Sequence, residues 1–255
     1  MPNVFVIAGP NGAGKSTAAP RFIGARLGIA EFVNADVIAA GLSAFAPDSV
    51  ALAAGRVMLK RLHELASQER DFAFETTLAS RSYAPWLVLL RRERRYSFHL
   101  AYLWLPSAEM AISRVAGRIR GGGHAVPPDD IRRRYQRGLA NFFSLYSPIA
   151  DSWEMHDNAS LRARLIAARE GGGPIRFGDQ ILWEMIQDHL KAKEQESEYG
   201  AGLEPRLMGV PISEVMEIFT LAGREAMARH KALGLSIVTW RDGKVVEIPP
   251  EEIEV

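Results

Sequence analysis

The chain has 255 residues, 47% of them hydrophobic, and sets 31 Lys and Arg against 30 Asp and Glu; it can bury a full core and has no global charge to draw it to nucleic acid or an anionic membrane. With no cysteine it excludes disulfide frameworks, thiolate metal sites and Cys nucleophiles. No stretch approaches the roughly 20 apolar residues that span a bilayer, and the expectation is a cytoplasmic protein of one α/β domain with an appendage, or of two small domains.

The opening MPNVFVIAGP has no basic region ahead of its short apolar run and passes straight into a glycine-rich loop, so it reads as a first strand rather than a leader. Short β-rich runs then alternate with segments of helical period. Strands are predicted at Val4 to Ala8, Glu31 to Asn34, Phe72 to Thr76, Phe98 to Leu105 and Trp153 to His156, and helices over roughly 15–27, 47–69, 80–95, 107–120 and 128–145. Such alternation predicts an α/β fold, a mainly parallel sheet flanked by helices on both faces. Pro47, Pro106 and Pro127-Pro128 stand at or just before helix starts, where a missing N–H costs little. Gly121 to Gly123 interrupt an arginine-rich helix as a hinge would, and Gly171 to Gly173 with Pro174 break the chain before an amphipathic segment at 179–191.

Residues 191–206, KAKEQESEYGAGLEPR, have the composition of a solvated linker and place a boundary between a domain at 1–190 and a module at 207–255. In that module apolar spacing predicts a helix from Pro211 to Leu233, and SIVTW and VVEI flank Asp242-Gly243 as a hairpin. A helix and hairpin of about 45 residues make a poor independent core, so the module is expected to pack on something. Met155, Met185 and the five tryptophans read as core.

The chemistry starts at GPNGAGKST, residues 9–17. Gly9, four residues, then Gly14-Lys15-Ser16, after a strand and opening a helix, is the pattern of a phosphate-binding loop whose backbone N–H groups wrap a nucleotide's phosphates. ATP contacts are expected from Gly9, Asn11, Gly12, Ala13, Gly14, Lys15, Ser16 and Thr17, with Lys15 reaching the β- and γ-phosphates and Ser16 holding Mg2+. Asp36 ends the strand-like run FVNAD. It could take the proton of a substrate hydroxyl, hold Mg2+, or cap the helix that follows. Glu75 ends FAFETT and could bind an acceptor hydroxyl, bind Mg2+ through water, or be a solvated strand terminus; Thr76, Thr77, Arg81 and Ser82 could join the same acceptor pocket. Arg114, Arg118 and Arg120 precede the Gly121 to Gly123 break and His124, where a mobile lid would carry arginines over a γ-phosphate; a solvated cationic face is the plain alternative. Asn158 is a candidate for a nucleotide-base contact or a turn. The histidines show no metal-ligand spacing. Arg91 to Arg95 and Arg132 to Arg137 lack the interleaved aromatics of a nucleic-acid stacking platform, so no nucleic-acid partner is expected.

Taken in order, GPNGAGKST, FVNAD, FAFETT and RVAGRIRGGGHAVPPDDIRRRY resemble the zeta toxin family of P-loop kinases, the toxins of epsilon–zeta toxin–antitoxin systems, over about residues 1–190. The resemblance implies ATP-dependent phosphorylation of the 3′-hydroxyl of UDP-N-acetylglucosamine. It implies Asp36 as general base, Lys15 as phosphate lysine, Arg114 on the γ-phosphate and Glu75 as a sugar-nucleotide contact, although the spacing to Glu75 is shorter here than in the family. A second γ-phosphate arginine of the family would fall near His124, so Arg118 or Arg120 would stand in for it. The tail AMARHKALGLSIVTWRDGKVVEIPPEEI resembles small proteins encoded beside such kinases, which implies a built-in inhibitory module from about 207, with completion of the fold as the alternative. A nucleotide-dependent switch without dedicated transfer is the competing functional reading.

Overall fold

The computed structural model describes residues 1–24, 29–43, 47–120, 126–160, 162–201, 206–207, 210–211, 227–241 and 244–253. The chain divides into two compact units, Met1–Asp188 and His189–Val255.

The first unit is built on a sheet of β1 (Asn3–Ala8), β2 (Phe32–Val33), β3 (Phe72–Thr76), β4 (Ser97–Trp104), β5 (Ser152–Asp157), β6 (Arg164–Glu170) and β7 (Arg176–Phe177), ordered β2-β3-β1-β4-β5-β6-β7. The first five in that order run parallel; β6 and β7 extend the sheet antiparallel. Central strands covered on both faces read as continuous apolar runs. Accordingly Val4, Val6, Ile7 and Ala8 of β1 and Phe72, Ala73 and Phe74 of β3 are all 0% exposed.

The helices are α1 (Lys15–Ala19), α2 (Ala35–Leu42), α3 (Ala51–Ser67), α4 (Tyr83–Arg94), α5 (Ala108–Arg120), α6 (Pro128–Asn141) and α7 (Gln180–Ala201). α1 is shorter than its apolar pattern predicts. Pro20 brings no N–H to the helical ladder, and the chain widens into a π turn over Pro20–Gly24; the rest of the predicted helix, 25–28, lies outside the described residues. A second π turn, Phe142–Tyr146, prolongs α6.

β6 and β7 depart from the sequence expectation. Leu165 to Ala168 is only a four-residue apolar run between charged ends, and β7 is two residues long, so neither carries a readable period. α7 runs on to Ala201 through most of the segment expected as a solvated linker. Its Lys, Ala, Glu and Gln are strong helix formers, and that propensity overrides the polar composition. Met185, expected in the core, is 62% exposed, because α7 turns Trp183 and Ile186 inward instead. Trp183 stacks on Trp153 of β5 with ring centroids 5.3 Å apart and planes 9° from parallel, a contact worth about 0.5–1.5 kcal/mol beyond its burial.

The second unit holds two short antiparallel pairs, β8 (Arg206–Leu207) with β9 (Val210–Pro211) and β10 (Ile237–Arg241) with β11 (Lys244–Ile248). Residues 227–232 are helical. Of the helix predicted from Pro211, Pro211 itself lies in β9, and residues 212–226, like the turn at Asp242-Gly243, lie outside the described residues. Among the described residues no helix is long and apolar enough to cross a membrane.

Candidate active site

Parallel strands bring their C-terminal ends to one edge of the sheet, and three adjacent ends carry the candidate residues. Register sets Ile7 of β1 beside Glu75 of β3, and Phe74 beside Val33 of β2. The glycine loop, Glu75 and the Asn34–Asp36 corner therefore meet.

Between β1 and α1 the chain must reverse inside six residues. At Gly12 the backbone takes φ 75°, and a β-carbon there would stand 2.7 Å from the Ala111 carbonyl oxygen and 3.1 Å from Cβ of Arg114, so glycine is required on both grounds. The loop bonds to itself, Ala13 N–H donating to Pro10 O at 3.2 Å, and Ala18 N–H donates to Gly14 O at 3.0 Å to start α1.

Lys15 is the first residue of α1 and is 7% exposed. Its Nζ donates to Pro10 O at 2.9 Å and lies 3.6 Å from Oε1 of Glu75. Burial pushes its ammonium well below the ordinary lysine value, the carboxylates of Glu75 and then Asp36 pull it back up, and the charge of Arg118 pushes it down again. Lys15 is thus a buried cation within electrostatic reach of two acids and one arginine.

Ser16 Oγ donates to Oε2 of Glu75 at 2.7 Å, and Nδ2 of Asn34 donates to the same oxygen at 2.9 Å. Asn34, 5% exposed, was not among the sequence candidates. Its Oδ1 accepts from Asp36 N–H at 2.8 Å and Val37 N–H at 3.4 Å, which makes Asn34 the cap of α2. The cap reading of Asp36 is thereby corrected: Asp36 sits in the first turn, exposed, its charge felt at Lys15. An Asn at a strand end just before a helix is a cap signal that could have been read.

After Glu75 the hydroxyls of Thr76 and Thr77 turn back on the chain, accepting from Leu78 N–H at 3.1 Å and Ala79 N–H at 3.4 Å. Arg81 is exposed at the far end of this turn, beside the Ser80 and Ser82 hydroxyls, which bond each other at 2.7 Å.

Arg114 and Asn158 are placed differently from expectation. The Arg114 guanidinium donates to Asn158 O at 2.9 Å and Ala159 O at 2.7 Å, and the Asn158 amide donates to Ala13 O of the glycine loop at 2.7 Å. The two form a brace from α5 across the β5–β6 connection to the phosphate loop. Arg118, one turn further on, is the exposed arginine whose charge reaches Lys15. The side chain of Arg120 and residues 121–125, with His124, lie outside the described residues. Asn11 Oδ1 is buried with no partner among the described residues. Of the basic runs, Arg91 pairs with Asp151, Arg132 with Glu109 and Asp129, and Arg133 with Asp130.

Residues 4–142, more than half of the chain, match the AAA_33 family, described as an AAA domain. The chain belongs to this AAA domain family. The AAA domain so defined holds the phosphate loop, Asp36, Glu75, Arg114 and Arg118, but not Asn158. An uncharacterized protein of Haemophilus influenzae is 28% identical over 127 residues, 50% of this chain and 88% of its own length. The crystal structure of the AvrRxo1-ORF1:AvrRxo1-ORF2 complex with sulphate ions matches with a TM-score of 0.61 at 16% identity, and the complex with ATP with 0.59 at 16%. Each match covers 73% of this chain, which spans 63% of the length of that one. A weaker likeness, TM-score 0.48 and 17% identity over 64% of this chain and 71% of the other, is to the PezAT chromosomal toxin–antitoxin system of Streptococcus pneumoniae. The AAA domain with its flanking strands thus has a P-loop nucleotide-binding α/β fold, as the motifs implied.

Proposed function

We propose that the first unit is a zeta-toxin-like kinase, moving the γ-phosphoryl group of ATP to a hydroxyl of a sugar nucleotide such as UDP-N-acetylglucosamine. The observation that carries this reading is the convergence of two acids, Glu75 at the end of β3, half-buried against Lys15 and Ser16, and Asp36 exposed in the first turn of α2, on one phosphate-loop lysine. A nucleotide switch needs the loop and one acid to organise its phosphates. A second, solvent-facing carboxylate at the same place suits a base that must meet an incoming hydroxyl.

The donor set suits Mg2+: the Ser16 hydroxyl and the Glu75 carboxylate are hard oxygens 2.7 Å apart at the mouth of the loop. Ser16, with Glu75 through water, would hold it, and bound Mg2+ neutralises charge on the β- and γ-phosphates. Lys15, whose ammonium burial disfavours, gains counter-charge beyond that of Glu75 when a triphosphate enters. Asp36 accepts the proton of the acceptor hydroxyl. Arg118 offsets charge that spreads onto the equatorial oxygens in transfer. Arg114 acts earlier in the chain of support, by bracing the loop through Asn158. The hydroxyl-lined turn from Thr76 to Ser82, with Arg81, suits a polar, anionic acceptor. The lack of cysteine and the use of ATP suit the cytoplasm.

The second unit is proposed as a restraint carried in cis, in the role of an antitoxin. Its compactness apart from the kinase unit supports that reading, as does the pairing of AvrRxo1-ORF1 with a second protein. The test incubates the full chain, and a chain ending near Lys191, with ATP, Mg2+ and a panel of hydroxyl compounds including UDP-N-acetylglucosamine, and identifies products by mass spectrometry. The expected result is a phosphorylated sugar nucleotide, formed faster without the second unit and lost in Asp36→Asn, which still binds ATP. Transfer retained in Asp36→Asn removes the base assignment, and ATP binding without any product from either chain favours the switch.

A further inference from the structure

The turn that follows β3 does not owe its shape to its own residues. Leu78 stands at φ 56°, a left-handed conformation that costs a bulky side chain about 1–3 kcal/mol, and its side chain is fully buried. Such a conformation persists only where surroundings over-determine it. The N–H groups of the turn are met locally by the threonine hydroxyls, as described. Its carbonyls are met from outside, and by one helix.

Gly138 of α6 lies so close to the Thr77 carbonyl that a β-carbon would stand 2.2 Å from the oxygen. Asn141 Nδ2 donates to Leu78 O at 2.7 Å and reaches Ala79 O at 3.4 Å. Tyr146 hydroxyl donates to Ser80 O at 2.6 Å. Three successive carbonyls, 78 to 80, are therefore bonded in order by Asn141 and Tyr146, and the one before them, Thr77 O, is closely approached by Gly138. On an unbroken α-helix the stripe through 138 and 141 continues at 145. The π turn at Phe142–Tyr146 inserts one residue and brings 146 onto that stripe instead, and single π turns inside helices are frequent at functional sites. The helix is itself tied down, Tyr135 hydroxyl donating to Leu105 O at the end of β4 at 2.7 Å. Asn141 is 9% exposed, and burial holds the Tyr146 hydroxyl up to about 12, so it stays a donor throughout the working pH range.

We propose that Asn141 and Tyr146 are positioning residues for the phosphoryl acceptor: by holding the Leu78–Ser80 carbonyls they set the turn that presents Thr76, Thr77 and Arg81, and so govern acceptor affinity without governing ATP affinity. The proposal rests on the kinase reading. Neither residue touches the phosphate loop, whose bracing comes from Arg114 and Asn158.

The test uses the full chain with Tyr146→Phe, which keeps the ring and loses only the hydroxyl, and Asn141→Leu as the harsher variant. Three quantities are read: hydrogen exchange of a peptide covering 76–83, the dissociation constant of a fluorescent ATP analogue, and kcat and KM with UDP-N-acetylglucosamine as acceptor probe. Tyr146→Phe is expected to speed exchange within 76–83 and raise acceptor KM about 5-fold, with ATP affinity kept within about 2-fold, and Asn141→Leu to do more of the same. An active wild type whose variants leave acceptor KM unchanged, or lose ATP affinity in step with it, overturns the positioning role alone. The absence of any product from both the full chain and the chain ending near Lys191 overturns the kinase reading beneath it.

Discussion

The phosphate loop and the turn after β3 sit at the ends of neighbouring strands, yet they are held in opposite ways. The first closes on itself: its conformation is written in glycine backbone angles and a bond between Ala13 and Pro10, with Asn158 as an outside brace. The second borrows its conformation, with a strained Leu78 kept in place by donors more than sixty residues further along the chain. An intrinsic loop breaks where a methyl group is added to it. A borrowed one breaks from a distance, and the Ser16–Glu75 bond is where the loop side meets the end of β3.

The largest effect is expected at the chemistry shared by both. Lys15→Ala should lower initial transfer rates about 10²- to 10³-fold with an unchanged fold by circular dichroism, since it removes the buried cation from the developing charge. Gly12→Ala tests the intrinsic loop. The methyl meets the Ala111 carbonyl at 2.7 Å with φ at 75°, so titration with a fluorescent ATP analogue should show at least about a tenfold loss while exchange of 76–83 stays as in wild type. If exchange there rises too, the two loops are not separately held. Gly138→Ala is the converse, overpacking the Thr77 carbonyl; a loss of about 1–3 kcal/mol in denaturant unfolding is expected, with acceptor KM raised and ATP affinity kept.

Arg114→Met sharpens the role of the brace. Losing two bonds to main-chain carbonyls should cost about 1–3 kcal/mol of stability and weaken ATP binding; a fall in kcat with ATP binding intact would instead put Arg114 on the γ-phosphate. The smallest effect lies away from both loops. Burial opposes ionisation of Asp151, but bonds from Arg91 and from Phe98 N–H outweigh it and hold the carboxyl below its ordinary 3.8. A carboxyl depressed on folding stabilises above its unfolded value and loses that contribution as pH falls through the folded one. Asp151→Asn should therefore flatten the fall of unfolding midpoint below pH 3.8 and leave the exchange of both loops alone.

This division also governs what could be read in advance. Lys15 was legible from the spacing of the glycine loop, and Asp36 and Glu75 because each ends a strand-like run and strand ends of a parallel sheet share one edge. Asn34 was within reach, as a cap residue two positions before an acid. Asn141 and Tyr146 were not, because their partners are carbonyls of Leu78 and Ser80, and a main-chain oxygen leaves no mark in a sequence; Asn158 was picked out for a base contact or a turn, not for its bond to Ala13 O. Arg114 was picked out for its charge, which says nothing of whether it meets a phosphate or a peptide group. The antiparallel strands β6 and β7 and the helical run to Ala201 escaped for a local reason: one is too short for a period, and the other is polar in composition yet helical in propensity.

The large sheet ends on β2 at one side and β7 at the other, each of only two residues. Unsatisfied strand edges are the templates on which chains zip together into aggregates, and short terminal strands are a recognised guard against it. Here a foreign strand would meet a terminal strand of only two residues at either border. Recognition of this molecule at the borders of its large sheet must therefore be written in side chains rather than in shared β-structure.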